Sequence, residues 1–316
     1  MRLVLCAVAL ALMFASSGGV AQSYPSRPVR IVTAPIGAGN DFMARLIAQG
    51  LTAPLGQQLV VDNRPAGILG ELVAKSPPDG YTLLAVGSVL WLTPLLQDNV
   101  GYDPVKDFAP IAVTSRSVNL LVVHPSLPAG SVKALIALAK ARPGQLNYAT
   151  GGTGSSNHLA GELFKSMAGV NLVRIPYKGA GPAVNDLLSG QVQIMFPTTA
   201  SSLQHVKSGR LKALGVTSLK PTVLAPGLPA LAESGLPGYE SVVIYGLFAP
   251  AKTPPAIVER LNAELVPFLR SEATTERLLN SGVEPVGSSP RELATVMESE
   301  MTRMGKLIKD ARIRAN

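Results

Sequence analysis

The chain has 316 residues, of which 47% are hydrophobic, 15% charged and 5% aromatic, with a formal net charge of +8. That length suits two lobes of about 150 residues better than one core, and the scattered basic residues fit a solubilising surface or a small anion rather than nucleic acid. Cys6 is the only cysteine and lies in the N-terminal apolar stretch, so the rest of the chain has no disulfide, thiolate nucleophile or thiolate metal site.

Met1 and Arg2 form a short positive start, Leu3 to Phe14 is nearly unbroken apolar sequence, and Gly19-Val20-Ala21 offers a small-x-small cleavage site. This pattern predicts a secretory signal peptide over 1–21, because the apolar run is too short to span a bilayer. A processed chain would keep about 295 residues.

After the leader, short apolar runs alternate with amphipathic segments. Val29–Thr33 reads as a strand, and Asp41–Leu51 as a helix with Phe42, Met43, Leu46, Ile47 and Leu51 at helical spacing. Leu59–Val61, Tyr81–Val86 after the turn Pro77-Pro78-Asp79-Gly80, Ile111–Thr114 and Asn119–Val123 read as strands. Val132–Ala141 is a predicted helix that stops before Pro143-Gly144. Strand Leu146–Ala149, helix Asn157–Met167 and strand Val173–Pro176 follow. Helix Pro182–Leu188 comes next, with Pro182 expected in its first turn. Strand Gln193–Phe196, helix Ala200–Ser208, strand Leu211–Thr217 and the β-like Val242–Ala249 complete the alternation. Two long helices, Pro254–Leu269 and Pro290–Asp310, close the chain, the second opened by the capping box Ser289-Pro290-Arg291-Glu292. The expected class is α/β with mainly parallel sheets flanked by helices.

Two glycine-rich loops follow strands and open helices: Ala34–Asp41 and Thr150–His158. In open α/β sheets ligands bind beyond the carboxyl ends of strands, where the next helix offers free N–H groups to an anion. Ser155, Ser156 and Thr153 add hydroxyl donors. The same residues equally suit tight turns and helix caps. Neither loop carries a nucleotide-binding glycine motif. His124, His158 and His205 lack metal-ligand spacing, and Ser156 with His158 has no nucleophile-elbow glycine. Trp91 reads either as core or as a lid over a ligand.

The chain resembles the periplasmic solute receptors of tripartite tricarboxylate transporters, the Bug or TctC type. The resemblance rests on Tyr24-Pro25-Ser26-Arg27-Pro28, Asp62-Asn63-Arg64-Pro65, Pro78-Asp79-Gly80-Tyr81-Thr82-Leu83-Leu84, and the run from Tyr102 to Pro110. It continues through Leu146-Asn147-Tyr148-Ala149, Gly154 to Phe164, Pro176-Tyr177-Lys178-Gly179, Gly246-Leu247-Phe248-Ala249-Pro250 and Glu284-Pro285-Val286-Gly287. It implies a two-lobed Venus-flytrap receptor of type II-like form, with no catalysis and no cofactor or metal. The lobes would be 22–122 with 250–316, and 123–249, crossing near Leu121–Pro125 and Tyr245–Pro250. It further implies that a small carboxylate is gripped between Pro35–Asp41 and Gly152–His158, with contacts from Ile36, Ala38, Asn40, Ser88, Gly154, Ser155, Ser156 and His158. Tyr177, Thr198 and Thr199 are added to that set. Pro197-Thr198-Thr199 stands where many members carry Asp, which argues for a non-amino carboxylate such as a di- or tricarboxylate or an aromatic acid. The implied partners are the ligand and integral-membrane transporter subunits, the receptor being a monomer. A ligand-sensing receptor for a signalling protein and a secreted hydrolase are the alternatives; the second would need a nucleophile, base and orienting group.

Overall fold

The computed structural model describes residues 24–36 and 39–314. The expected signal peptide and Ala38 lie outside the described residues.

Strands β1 (Val29–Thr33), β2 (Leu59–Asn63), β3 (Thr82–Gly87), β4 (Phe108–Val118), β10 (Val242–Pro250) and β11 (Glu284–Pro285) form one sheet, in the order β11-β4-β10-β3-β1-β2. Strands β5 (Leu120–Val123), β6 (Asn147–Thr150), β7 (Val173–Pro176), β8 (Ile194–Met195) and β9 (Lys212–Val216) form a second, ordered β7-β6-β8-β5-β9.

The strand sequences explain the layering. Val29, Ile31, Leu83 and Ala85 point to one apolar cluster while Val32, Leu84 and Val86 point to another. A strand whose two faces are both covered reads as a continuous apolar run, with alternate side chains shared between two cores. The first cluster is filled by helices α1 (Gly39–Leu55) and α8 (Pro255–Arg270), through Met43, Leu46, Ile47, Leu261 and Leu265. The second is filled by α2 (Leu69–Ala74), α3 (Val89–Leu96) and α10 (Pro290–Asp310). The second sheet is covered in the same way. On one face lie α4 (Val132–Ala141) and α5 (Ser156–Ala168); on the other lies α6 (Ala180–Leu188). Helix α7 (Thr199–Lys207) flanks that second face through Leu203 and Val206, and α9 (Glu272–Asn280) follows α8.

The sheets are mixed rather than mainly parallel. β1 pairs parallel with β2 and β3, and β6 with β7 and β8. β10 runs antiparallel to both β3 and β4, and β5 antiparallel to β8 and β9. β10 and β5, each the strand by which the chain enters its sheet from the other unit, run against their neighbours, as does β11 against β4.

The chain leaves the first sheet at Val118 and enters the second at Leu120, and it returns before Val242. β5 thus belongs to the second sheet and all of β10 to the first, whereas lobe boundaries at 122/123 and 249/250 would split β5 and give β10 to the second. Both segments are unbroken apolar runs, and nothing in their sequence marks the change of sheet. Helix α6 begins at Ala180, two residues before Pro182, and the capping box at Ser289 and Glu292 forms as the sequence indicates.

Candidate functional site

A cleft of about 390 Å³ opens where the two units meet. The start of α1, the start of α3, the loop before α5, the beginning of β10 and the middle of α10 all reach it. The first turns of three helices therefore converge on one space.

At α5 the loop is knitted onto its own helix. Asn157 Oδ1 accepts from Gly151 N at 2.9 Å and from Ser155 Oγ at 2.6 Å. Gly154 N donates to His158 Nδ1 at 3.0 Å. Gly154 has φ +79°, a backbone conformation a glycine adopts without steric cost. Ser155 occupies the N-cap position, but its hydroxyl goes to Asn157 and it makes no side-chain cap. Ser88 likewise precedes α3 without capping it. Its Oγ accepts from Ile244 N at 3.3 Å and donates to the Glu300 carboxylate. The leading N–H groups of α3 and α5 are thus left without side-chain caps beside the cleft, where their partial positive charge favours an anion.

Glu300 is the only charged residue among the described residues lining the cleft. It is buried, accepts from Trp91 Nε1 at 2.9 Å and lies 3.6 Å from Arg303. Burial raises its carboxyl above the usual range, against the hydrogen bonds from Trp91 and Ser88. Trp91 is fully buried, so of its two readings the core one holds: its ring packs edge-on to Phe248 and its N–H steadies Glu300.

Tyr245, on β10, lines the cleft beside the start of α1. A Cβ on Gly39 would stand 2.5 Å from its hydroxyl oxygen, so a glycine is what lets the helix start approach the ring. Burial pushes the phenol up to about 12, which keeps it a neutral donor at physiological pH.

Of the residues expected at the site, Asn40, Ser88, Gly154, Ser155 and Ser156 line the cleft together. Asn40 buries its Oδ1 without a hydrogen-bond partner. Ile36 is strongly exposed on the loop before α1 and is not in the wall. His158 lies behind the loop, buried, with its ring spent on Gly154 N–H. Desolvation, reinforced by Arg174, lowers it to about 4, so it is neutral with its proton on Nε2. Ser156 Oγ stands 3.5 Å from Asn119 Nδ2. Tyr177 donates to Asp186 at 2.7 Å, outside the cleft wall. Thr198 pairs with Ser201 at 3.0 Å, and Thr199 is buried, donating to Gly282 O at 2.8 Å across the junction of the two units. Sequence reasoning missed Tyr245, Glu300 and the apolar wall. Tyr245 and Glu300 come from distant chain segments with no glycine-rich loop to mark them.

A family model described as "Tripartite tricarboxylate transporter family receptor" matches residues 43–313. The chain belongs to this family. It is 38% identical over 321 residues to a UPF0065 protein from the tcbD-tcbE intergenic region of Pseudomonas sp. strain P51, covering 100% of this chain and 96% of that one. Among solved structures it is similar to R. palustris Rpa4515 with adipate, at TM-score 0.82 and 39% identity, covering 92% of this chain and 99% of that one. It is also similar to MatC from Rhodopseudomonas palustris with bound malate, at TM-score 0.76 and 28% identity, covering 90% of this chain and all of that one. These receptor-family neighbours are binding proteins. No helix among the described residues is long and apolar enough to cross a membrane, and none of their His, Cys, Asp and Glu residues cluster in threes that could hold a metal ion.

Proposed function

We propose that this family member is an extracytoplasmic receptor that captures a small carboxylate between its two units. In this reading it hands the ligand to the membrane subunits of a tripartite transporter, and residues 1–21 direct its export. The observation that carries the reading is the convergence of helix starts on one cleft, with Ser88 and Ser155 spent elsewhere and no Lys or Arg among the described lining residues. Such a cradle suits a carboxylate held by neutral donors, here the first-turn N–H groups with Ser156 and Tyr245. The adipate and malate held by the two solved neighbours support the ligand class. The two crossings, at Asn119 and before Val242, form the hinge. Thr217 Oγ1 joins them, accepting from Asn119 N at 2.8 Å, while Ser241 N donates to Thr217 O at 2.8 Å. Ligand that bridges the units favours the closed state, so binding and motion are coupled.

A thermal-shift screen of the protein, unfolded and refolded to remove carried-over ligand, tests this against carboxylates, amino acids and sugars. A ligand at 100 times its Kd stabilises by about 2.7 kcal/mol, a shift of roughly 4–5 °C for a chain of this size. Shifts confined to carboxylates are expected; shifts with sugars or amino acids alone would overturn the reading.

A further inference from the structure

Beyond its polar loops, the cleft wall is mostly carbon, interrupted by Thr93, Gln97, Ser241 and Tyr245. Val89 and Leu92 from α3, Val242 and Val243 from β10, and Met304 from α10 line its first-unit side. Leu159 from α5 faces them from the second unit and joins the same apolar cluster as Trp91 and Leu92. The seam between the units is therefore apolar at this end. Leu96 Cδ1 comes close enough that a Cβ on Gly154 would stand 2.5 Å from it.

A hydroxylated polycarboxylate has oxygen along its whole length, and each oxygen taken from water needs a partner. The wall beyond the helix starts offers few, Thr93, Gln97, Ser241 and Tyr245, among side chains that are otherwise aliphatic. Glu300 is an acceptor already serving Trp91 and Ser88, and it would repel a further carboxylate. Burial of carbon against carbon is the interaction this wall rewards. A volume of about 390 Å³ leaves room for a body larger than a four-carbon acid.

Resting on the carboxylate reading above, we infer that the ligand of this receptor is a carboxylate with an apolar body, an aromatic ring or an unsubstituted hydrocarbon chain, which packs between α3, β10 and Leu159. Val89 and Val243 are then specificity-determining residues. Val89 is half exposed and Val243 partly so, which allows each to be altered without opening the core.

The test is calorimetric titration of the stripped full chain with phenylacetate, benzoate and octanoate on one side and malate, tartrate and citrate on the other. The tightest apolar acid should bind at least tenfold more tightly than any hydroxylated acid, with a negative heat-capacity change. Val89→Thr and Val243→Thr keep side-chain shape but add a hydroxyl, and each should weaken the apolar acids several-fold while leaving the hydroxylated acids unchanged or tighter. Equal or tighter binding of the hydroxylated acids by the unaltered protein would overturn the inference, whatever the variants do. So would threonine variants that weaken both classes alike. Binding of neither class would overturn the carboxylate reading itself, a result distinct from a reversed preference.

Discussion

Protonating His158 should loosen the loop that frames the cleft. Its Nδ1 accepts the Gly154 N–H at 3.0 Å, and an imidazolium has no lone pair with which to do so. Burial, with Arg174 nearby, holds the ring at about 4 against an ordinary 6.5. The unfolded chain therefore binds more protons than the folded one between those values, and stability rises with pH across the window. The contribution is complete above about pH 6.5 and is lost as pH falls toward 4. From these two values, the loss relative to pH 7.5 is about 1.4 kcal/mol at pH 5.5 and about 2.5 kcal/mol at pH 4.5. Urea denaturation of the unaltered protein and His158→Asn at each pH isolates the term. The asparagine amide oxygen can take the same N–H bond but does not titrate. The stability difference between the two proteins should move by those amounts in favour of the variant as pH falls. A difference constant from pH 7.5 to 4.5, or an imidazole titrating at 6.5 or above by NMR, would refute the argument.

Gly39→Ala should destabilise the start of α1, because its Cβ would meet the Tyr245 hydroxyl at 2.5 Å; Tyr245→Phe in the same chain should recover about 1 kcal/mol in a denaturation cycle. Tyr245→Phe alone should weaken carboxylate binding by about tenfold, the loss of one donor to a charged group, read by calorimetry, with little change in unfolding midpoint. Gly282→Ala places a side chain at φ +72° and 2.8 Å from Ala200 N, breaking the Thr199 contact that joins the units; a loss of about 2 kcal/mol or more is expected in urea denaturation. Trp91→Phe leaves the buried Glu300 carboxylate short of one donor and should cost about 1–3 kcal/mol by the same assay.

Periodicity with turn and capping signals located most elements, and four of them, Val29–Thr33, Val132–Ala141, Val173–Pro176 and Pro290–Asp310, keep their bounds to the residue. Helices α2, α3 and α9 were not legible; α2 is six residues long, too short to show a periodic stripe. Val89–Leu96 is apolar on all sides and contains Pro94, so it shows no helical stripe, and Glu272–Asn280 continues directly from α8. The two glycine-rich loops were readable as candidates because a helix start open to a ligand is built from small residues. Their partners were not readable, because Tyr245, Glu300 and Met304 reach the cleft only through sheet order and helix packing.

The sequence by itself determined the class of the fold, since alternation of apolar strands with amphipathic helices is set by local burial needs that each segment carries within itself. It also marked which loops have the small residues and hydroxyls an anion site requires. The tertiary structure alone decided where the chain changes sheet, because an apolar run fits either sheet until its neighbours are in place. It decided as well that Ser88 and His158 spend their polar atoms inward on Glu300 and Gly154, and that mostly aliphatic side chains wall the rest of the cleft. Those outcomes depend on which distant side chain comes within about 3 Å, a distance that no spacing along the chain encodes.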